Sequence, residues 1–464
     1  MTLEKLSWKH YLVVAVLAFT AYAPTLKVGF LWDDHVIIEN NPWIREWSWT
    51  SLRHDFRSDN TQGQGDDYYR PLQAVSHRLD YSIWGLRPFG FHLTDLFFHI
   101  AAGLLLMHLL IALGFSSLAA LLTSSLFVVH PSGIEQFLVA SGRTTPLSFC
   151  FTLICLIALL LETPAGTILG LFAYAGALLT KEIGIIAPFL VTCVFHFRNK
   201  PLRSYRVIIP MALITVGYLA LRHRAVQIQG HFSAPLAWLF VSHVFPRILT
   251  HYVLLLLWPW NLHSHRMITH MSHFWSVSLG GWIALTAWLA WKKNKTGLFC
   301  IAWMVINLLP TIPVMINGGF MLDHWAYQAS LSVLLPLGLL FERLWEGRGG
   351  RSSYFMALSY FPLLIFWALL VHLNVALRGT DEKMYRWALH FTTSSPIKYN
   401  LGLVLLQSGR AAEAIPYFED VRALYPENSM NNHALELAHL QTSRLETTDR
   451  KRDRRDPAIQ TPHE

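Results

Sequence analysis

The chain has 464 residues, of which 53% are AVILMFWYC and only 14% are Asp, Glu, Lys or Arg, whereas soluble globular domains carry about 25% charged residues. That balance excludes an ordinary soluble protein. Its 37 basic against 29 acidic residues give a formal charge of +8, but the positive residues flank apolar runs of helix length, which excludes a nucleic-acid-binding face.

A bilayer-spanning helix needs roughly 20 mainly apolar residues. Eleven runs approach this in chain order, near residues 10–27, 93–113, 115–130, 144–161, 165–180, 183–197, 207–221, 274–291, 296–312, 326–343 and 354–373. Several are short, so tilt or burial in protein must help them. In the first run Ala21-Tyr22-Ala23 has the small-residue pattern of a signal cleavage site. Pro24 follows directly and the next hydrophobic anchor is far downstream, so the run reads as an uncleaved helix.

Orientation follows from Lys and Arg in short loops, which stay cytoplasmic. Lys5 and Lys9 place the N-terminus inside, and Arg198–Arg206, Trp291–Lys295 and Glu342–Arg351 also belong inside. That parity requires residues 236–262 to cross twice or to contain a re-entrant half; a surface-lying helix followed by a single span is the open alternative and would shift the parity. The plan is therefore an all-α polytopic membrane protein with about 11–13 transmembrane helices. The outside receives the loop 28–92, the loop 131–143, the Lys181-Glu182 junction, the loops 222–233 and 313–325, and the C-terminus from about residue 374. The four cysteines, Cys150, Cys155, Cys193 and Cys300, lie inside apolar runs without metal-type spacing, which argues against a disulfide framework or a zinc site.

Composition changes after the last run. From Lys398, Leu401-Gly402, Leu405, Gly409, Ala414, Phe418 and Pro426 follow the offsets of a 34-residue tetratricopeptide repeat, in which small residues (Gly402, Ala414) pack against large ones (Leu405, Phe418). A plain helical hairpin without a binding role is the alternative. One repeat is too few for a solenoid, so residues 376–443 are a short helical segment that docks on the membrane domain or serves as a perch for a protein partner. Residues 444–464 mix six basic with five acidic side chains, have almost no apolar content, and are expected to be disordered.

The outer loops hold the chemistry. Asp33 and Asp34 follow the first run in Gly29-Phe-Leu-Trp-Asp-Asp-His35. Adjacent carboxylates at a membrane surface cost desolvation and mutual repulsion, so such a pair takes a proton or holds a cation. Capping of a juxtamembrane helix is the simpler reading. Arg70, in Tyr68-Tyr-Arg-Pro-Leu72, either pairs a phosphate bidentately or neutralises the Asp pair. His130 and Glu135, then Arg143, then Lys181 and Glu182, and finally Asp323 and His324 sit at the outer ends of other runs. Each alone has a capping or snorkelling explanation. Together, on one face, they suit transfer of a group from an anionic lipid carrier to a hydroxyl.

The strings WDDHVIIENNP, YRPLQAVSHRLDYSIWGLRPFGFHLTDLFFHIAAGLLL, LFVVHPSGIEQFLVASGR, LLTKEIG and DHWAYQASLSVLLPLG, in that order, resemble the membrane domain of the TMTC-type protein O-mannosyltransferases and their bacterial relatives, members of the GT-C glycosyltransferase superfamily. The resemblance covers residues 1 to about 440 and implies a GT-C-type domain over 1–375. It implies a polyprenyl-phosphate-linked monosaccharide as donor and an inverting displacement. Asp33 would be the general base, with Asp34 orienting the acceptor or holding the base. Arg143 and Lys181 would meet the donor phosphate, with Arg70 and His324 as second candidates. Family members commonly carry an arginine where this chain has His324.

The acceptor is a protein Ser or Thr, a lipid or a glycan. No cofactor is expected; Asp33, Asp34 and Glu135 could ligate a divalent cation, but similar single-sugar transferases manage without one. The placement implied is the bacterial inner membrane with a periplasmic active site, or the endoplasmic reticulum with a lumenal one in a eukaryote. The contrasting function is a non-enzymatic scaffold or transporter. A transporter would place charges near the bilayer midplane, and here the charged groups lie at the ends of the runs.

Overall fold

The computed structural model describes residues 6–59, 68–226, 240–268, 275–347 and 350–453. The chain divides into two compact units, residues 1–264 with 268–376, and residues 265–267 with 377–464.

Among the described residues six helices are long and apolar enough to cross a membrane: Pro88–Leu113, Ala140–Leu160, Ser204–Ala225, Phe240–Leu257, Lys295–Gly318 and Tyr354–Arg378. Ser117–Val129 and Pro131–Leu138 form a seventh candidate, bent by 44°. The remaining expected runs are also helical but shorter: Trp8–Tyr22, Pro164–Thr180, Glu182–Phe197, Val277–Trp291 and Leu331–Glu346. The protein is an almost entirely helical, multi-pass integral membrane protein. Ala140–Leu160 is 72% buried over its most apolar window and Ser204–Ala225 only 11%, so the first is central and the second offers Ile209, Leu213 and Val216 to lipid.

Local chemistry sets the breaks. Gly114 closes Pro88–Leu113 in a left-handed conformation (φ 93°), which costs glycine little, and the Ser116 hydroxyl then accepts the Ala119 N–H at 3.0 Å to start the next helix. Pro131 lacks an N–H and bends the Ser117–Leu138 pair. The expected outer loop 131–143 is a correction: it folds as the buried helical turns Pro131–Gly133, Ile134–Leu138 and Ala140–Arg143. Ile134, Phe137 and Leu138 pull it inward by burial in the core.

Region 236–262, open in the sequence, forms one helix in its described part, Phe240–Leu257; residues 227–239 lie outside the described residues. Contacts nonetheless gather the basic loops at one end of the bundle. Arg198 donates to the Leu113 carbonyl at 3.1 Å, Lys295 to Asn199 Oδ1 at 2.8 Å, and Ser116 to the Glu342 carboxylate.

The second unit contains the helices Asp381–Leu389, Ser395–Gln407, Ala411–Leu424 and Ser429–Asp453. Gly402 lies so close to Phe418 that an added Cβ would stand 2.6 Å from the ring. A side chain there would push the two helices apart. Glu382 joins Arg386 at 2.8 Å and Arg410 at 2.9 Å, tying the first helix to the hairpin. The last helix continues to Asp453, so residues 444–453 are helical where disorder was expected. Alternating Arg, Lys, Glu and Asp are adequate helix formers once a packed segment nucleates the helix; Ala434, Leu435 and Ala438 are buried and supply that segment.

Candidate functional site

The acidic pair sits in a tight turn. Trp32 adopts φ 51°, an uncommon conformation for a bulky residue, and the Asp34 N–H then bonds the Leu31 carbonyl at 2.9 Å. This turn points the two carboxyl groups into different surroundings. Asp34 is fully buried and accepts three backbone N–H groups: Leu31 at 3.1 Å, Ala140 at 2.9 Å and Ser141 at 2.7 Å. It therefore caps the Ala140–Leu160 helix from 106 residues away. Burial pushes its carboxyl up to about 6 against the opposing pull of those N–H donors. Asp33 is half-buried and faces Arg70 within electrostatic range.

Arg70 begins the Pro71–Trp84 helix and forms a bidentate pair with Glu182, Nε to Oε2 at 3.0 Å and Nη2 to Oε1 at 2.6 Å. Its guanidinium lies 3.8 Å from the Tyr68 ring centroid. Glu182 follows the extended Lys181, where the Pro164–Thr180 helix stops. Burial would raise the Glu182 carboxyl, but Arg70 and then Lys181 overcome it and hold it at about 2. Lys181 donates to Thr145 Oγ1 at 2.7 Å. Desolvation and the neighbouring Arg70 bring its ammonium down to about 7, with Glu182 opposing. Asp33, Arg70, Lys181 and Glu182 thus meet from three separate stretches of chain, with Tyr218 and Arg222 of Ser204–Ala225 adjoining electrostatically.

A second group forms nearby in the chain. His324 Nδ1 lies 3.1 Å from Glu135 Oε2, and Gln136 Nε2 donates to the His324 carbonyl at 2.8 Å. Asp323 accepts the His263 N–H at 2.9 Å. A Cβ on Gly142 would stand 2.5 Å from the Gln136 carbonyl, so this group is packed against the turn that supplies Asp34's donors.

Arg143, expected at the donor phosphate, and His130, expected among the outer polar groups, are both enclosed. Arg143 is fully buried and saturated: it pairs with Asp80 and, at 2.8 Å, with Asp95, and donates to the Phe91 carbonyl at 3.0 Å. His130 is buried with Nε2 2.9 Å from the Leu256 carbonyl, Nδ1 2.8 Å from Ser132 Oγ, and its ring edge-on to Trp367. Both knit helices together. Asp80 and Asp95 escaped sequence reasoning: each is the lone carboxylate of its own helix, Pro71–Trp84 and Pro88–Leu113. Among the described residues no three His, Cys, Asp or Glu side chains come together as a metal-holding group. Asp34's oxygens are occupied by N–H donors, which leaves only Asp33 and Glu135 of the three carboxylates considered for a cation.

No protein-family model matches the chain. Curated relatives do. Human Protein O-mannosyl-transferase TMTC1 is 23% identical over 93% of this chain and 56% of its own length. Protein O-mannosyl-transferase Tmtc3 of Drosophila melanogaster is 24% identical over 88% of this chain and 54% of its own. The resemblance is to the TMTC O-mannosyl-transferases. It strengthens locally, to 35% over 136 residues with Drosophila melanogaster Tmtc2, which covers 27% of this chain and 14% of that protein. The chain spans just over half the length of its human and fly TMTC relatives. Among solved structures, ArnT from Cupriavidus metallidurans bound to undecaprenyl phosphate aligns over 93% of this chain and 77% of its own at 15% identity, with a TM-score of 0.42.

Proposed function

We propose that this chain is an integral-membrane glycosyltransferase that moves a monosaccharide, mannose foremost, from a polyprenyl-phosphate carrier to a hydroxyl of a protein Ser or Thr, a lipid or a glycan. The observation that carries the reading is the division of labour in the acidic pair. Asp34 is sealed by three N–H donors, while the half-buried Asp33 faces the half-open Arg70–Glu182 pair.

In the reaction the acceptor oxygen attacks the anomeric carbon from the face opposite the phosphate. The bond from that carbon to the phosphate oxygen breaks, its electron pair stays on the phosphate, and the hydroxyl proton passes to Asp33. A phosphodiester monoanion becomes a phosphomonoester dianion. Arg70, held in plane by Glu182, and Lys181 meet that charge; a preorganised donor of this kind contributes about 10² to 10³ in rate. Asp34 fixes the turn that aims Asp33. Glu135, Asp323 and His324 form a further substrate-binding group on the same end. No metal is invoked in any step.

The end of the bundle opposite the basic loops carries these residues, which supports an outer-face active site: periplasmic in a bacterial inner membrane, lumenal in the endoplasmic reticulum of a eukaryote. The closeness in sequence to TMTC O-mannosyl-transferases supports mannose. The test uses the full purified chain with a polyprenyl-phosphate-mannose donor and a hydroxyl-bearing acceptor. Asp33→Asn should melt at the wild-type temperature and lose about 10² to 10⁴ in turnover. Undiminished transfer by that variant would remove the base assignment.

A further inference from the structure

The phosphate changes charge during the reaction, and the cluster must answer that change. Arg70 has its guanidinium committed in the plane to both Glu182 oxygens, and stacked on Tyr68. Arg70 and Glu182 together carry no net charge, and Asp33 adds a negative one within range. Arg222 adjoins only through Tyr218 on the neighbouring helix. Lys181 is the remaining cation beside the pair: Glu182 acts on it, but its ammonium hydrogen-bonds a neutral hydroxyl, Thr145 Oγ1, at 2.7 Å.

We infer that Lys181 gains a proton when a lipid phosphomonoester occupies this cluster, so that the leaving group, one charge more negative than the donor, meets a second full cation beside Arg70. The inference rests on the phosphate-site reading above and adds the proton balance to it. Desolvation and the adjacent Arg70 guanidinium bring the Lys181 ammonium down to about 7, with Glu182 the opposing influence. A dianion at hydrogen-bond distance reverses that disadvantage, because an opposite charge within about 4–6 Å favours the charged form. The stoichiometry closes. The acceptor hydroxyl releases one proton, the phosphate gains one negative charge, and moving the proton from Asp33 to Lys181 restores the base without changing the total charge.

Binding calorimetry on the full chain in detergent, at pH 8 in buffers of different ionisation enthalpy, counts the protons taken up. The probes are a polyprenyl monophosphate and its methyl diester. Wild type should take up about one proton with the monoester and less with the diester, and its monoester affinity should fall by up to about tenfold per pH unit between pH 7 and 9. Lys181→Arg, permanently charged, should bind the monoester with no proton uptake and a flat pH profile. Asp33→Asn should keep the uptake.

Uptake that persists in Lys181→Arg overturns the inference, as does wild-type binding without uptake. Loss of uptake in Asp33→Asn alone would assign the proton to Asp33 and also overturn it. If wild type binds neither lipid, the phosphate-site reading itself fails. A purely structural Lys181, bridging two helices through Thr145, would change melting behaviour in Lys181→Arg without changing the proton count.

Discussion

Two arginines with carboxylate partners show how the same pairing serves opposite ends. Arg143 is wholly enclosed between Asp80 and Asp95, with no exposed side-chain surface. Arg70 makes an equally regular bidentate pair, but its Glu182 partner is 41% exposed. Enclosure turns a charge pair into a joint between helices, since desolvated ions tolerate no missing partner. An open rim lets the pair present a fixed, oriented cation to something outside it. Residue type does not separate the two; access does.

That contrast can be broken at several points. Arg143→Ala should have the largest effect on folding: it strands two buried carboxylates and should destabilise the membrane unit by about 3–5 kcal/mol, read as loss of monodisperse protein in detergent. Arg70→Gln should leave melting close to wild type and instead lower sugar transfer by about 10² to 10³. If the two variants behave alike, the distinction between joint and rim is wrong. Asp34→Ala leaves three buried N–H groups without their acceptor and should cost about 1–3 kcal/mol in thermal unfolding, whereas Asp33→Ala should cost almost none.

The smallest effect concerns pH. The Asp34 carboxyl is raised in the folded chain, to about 6 from its ordinary 3.8, so the folded state holds its proton longer than the unfolded one. The stability from this group is full below the unfolded value and is lost as pH rises through about 6. Melting of wild type should carry that decline, and Asp34→Asn, which does not titrate, should lack it. Equal slopes would show that Asp34 is not the titrating group.

Much of the helical plan was legible because apolar runs of membrane length have few alternatives in lipid. The expected helices appear at nearly all their positions, and Gly402 opposite Phe418 follows from the spacing of small and large residues. What escaped was whatever depends on which face meets which. Residues 131–143 contain enough Ser, Gly and Glu to resemble a loop, yet burial of Ile134 and Phe137 folds them inward. Arg143 and Lys181 look alike in sequence as basic residues at helix ends; only the carboxylates on two other helices show that one is sealed. Arg70's partner lies 112 residues away, beyond any local pattern. Asp34 was legible as important, but its role as a helix cap depends on Ala140 and Ser141.

The same cap has a consequence for biosynthesis. The turn holding Asp33 is anchored through Asp34 to backbone that is synthesised 106 residues later. Until the Ala140–Leu160 helix has entered the membrane and turned its first amides toward the N-terminal loop, two of the three N–H donors that anchor Asp34 are missing. A growing chain therefore exposes its acidic loop long before that loop is competent, and the arrival of a central helix is what arms it.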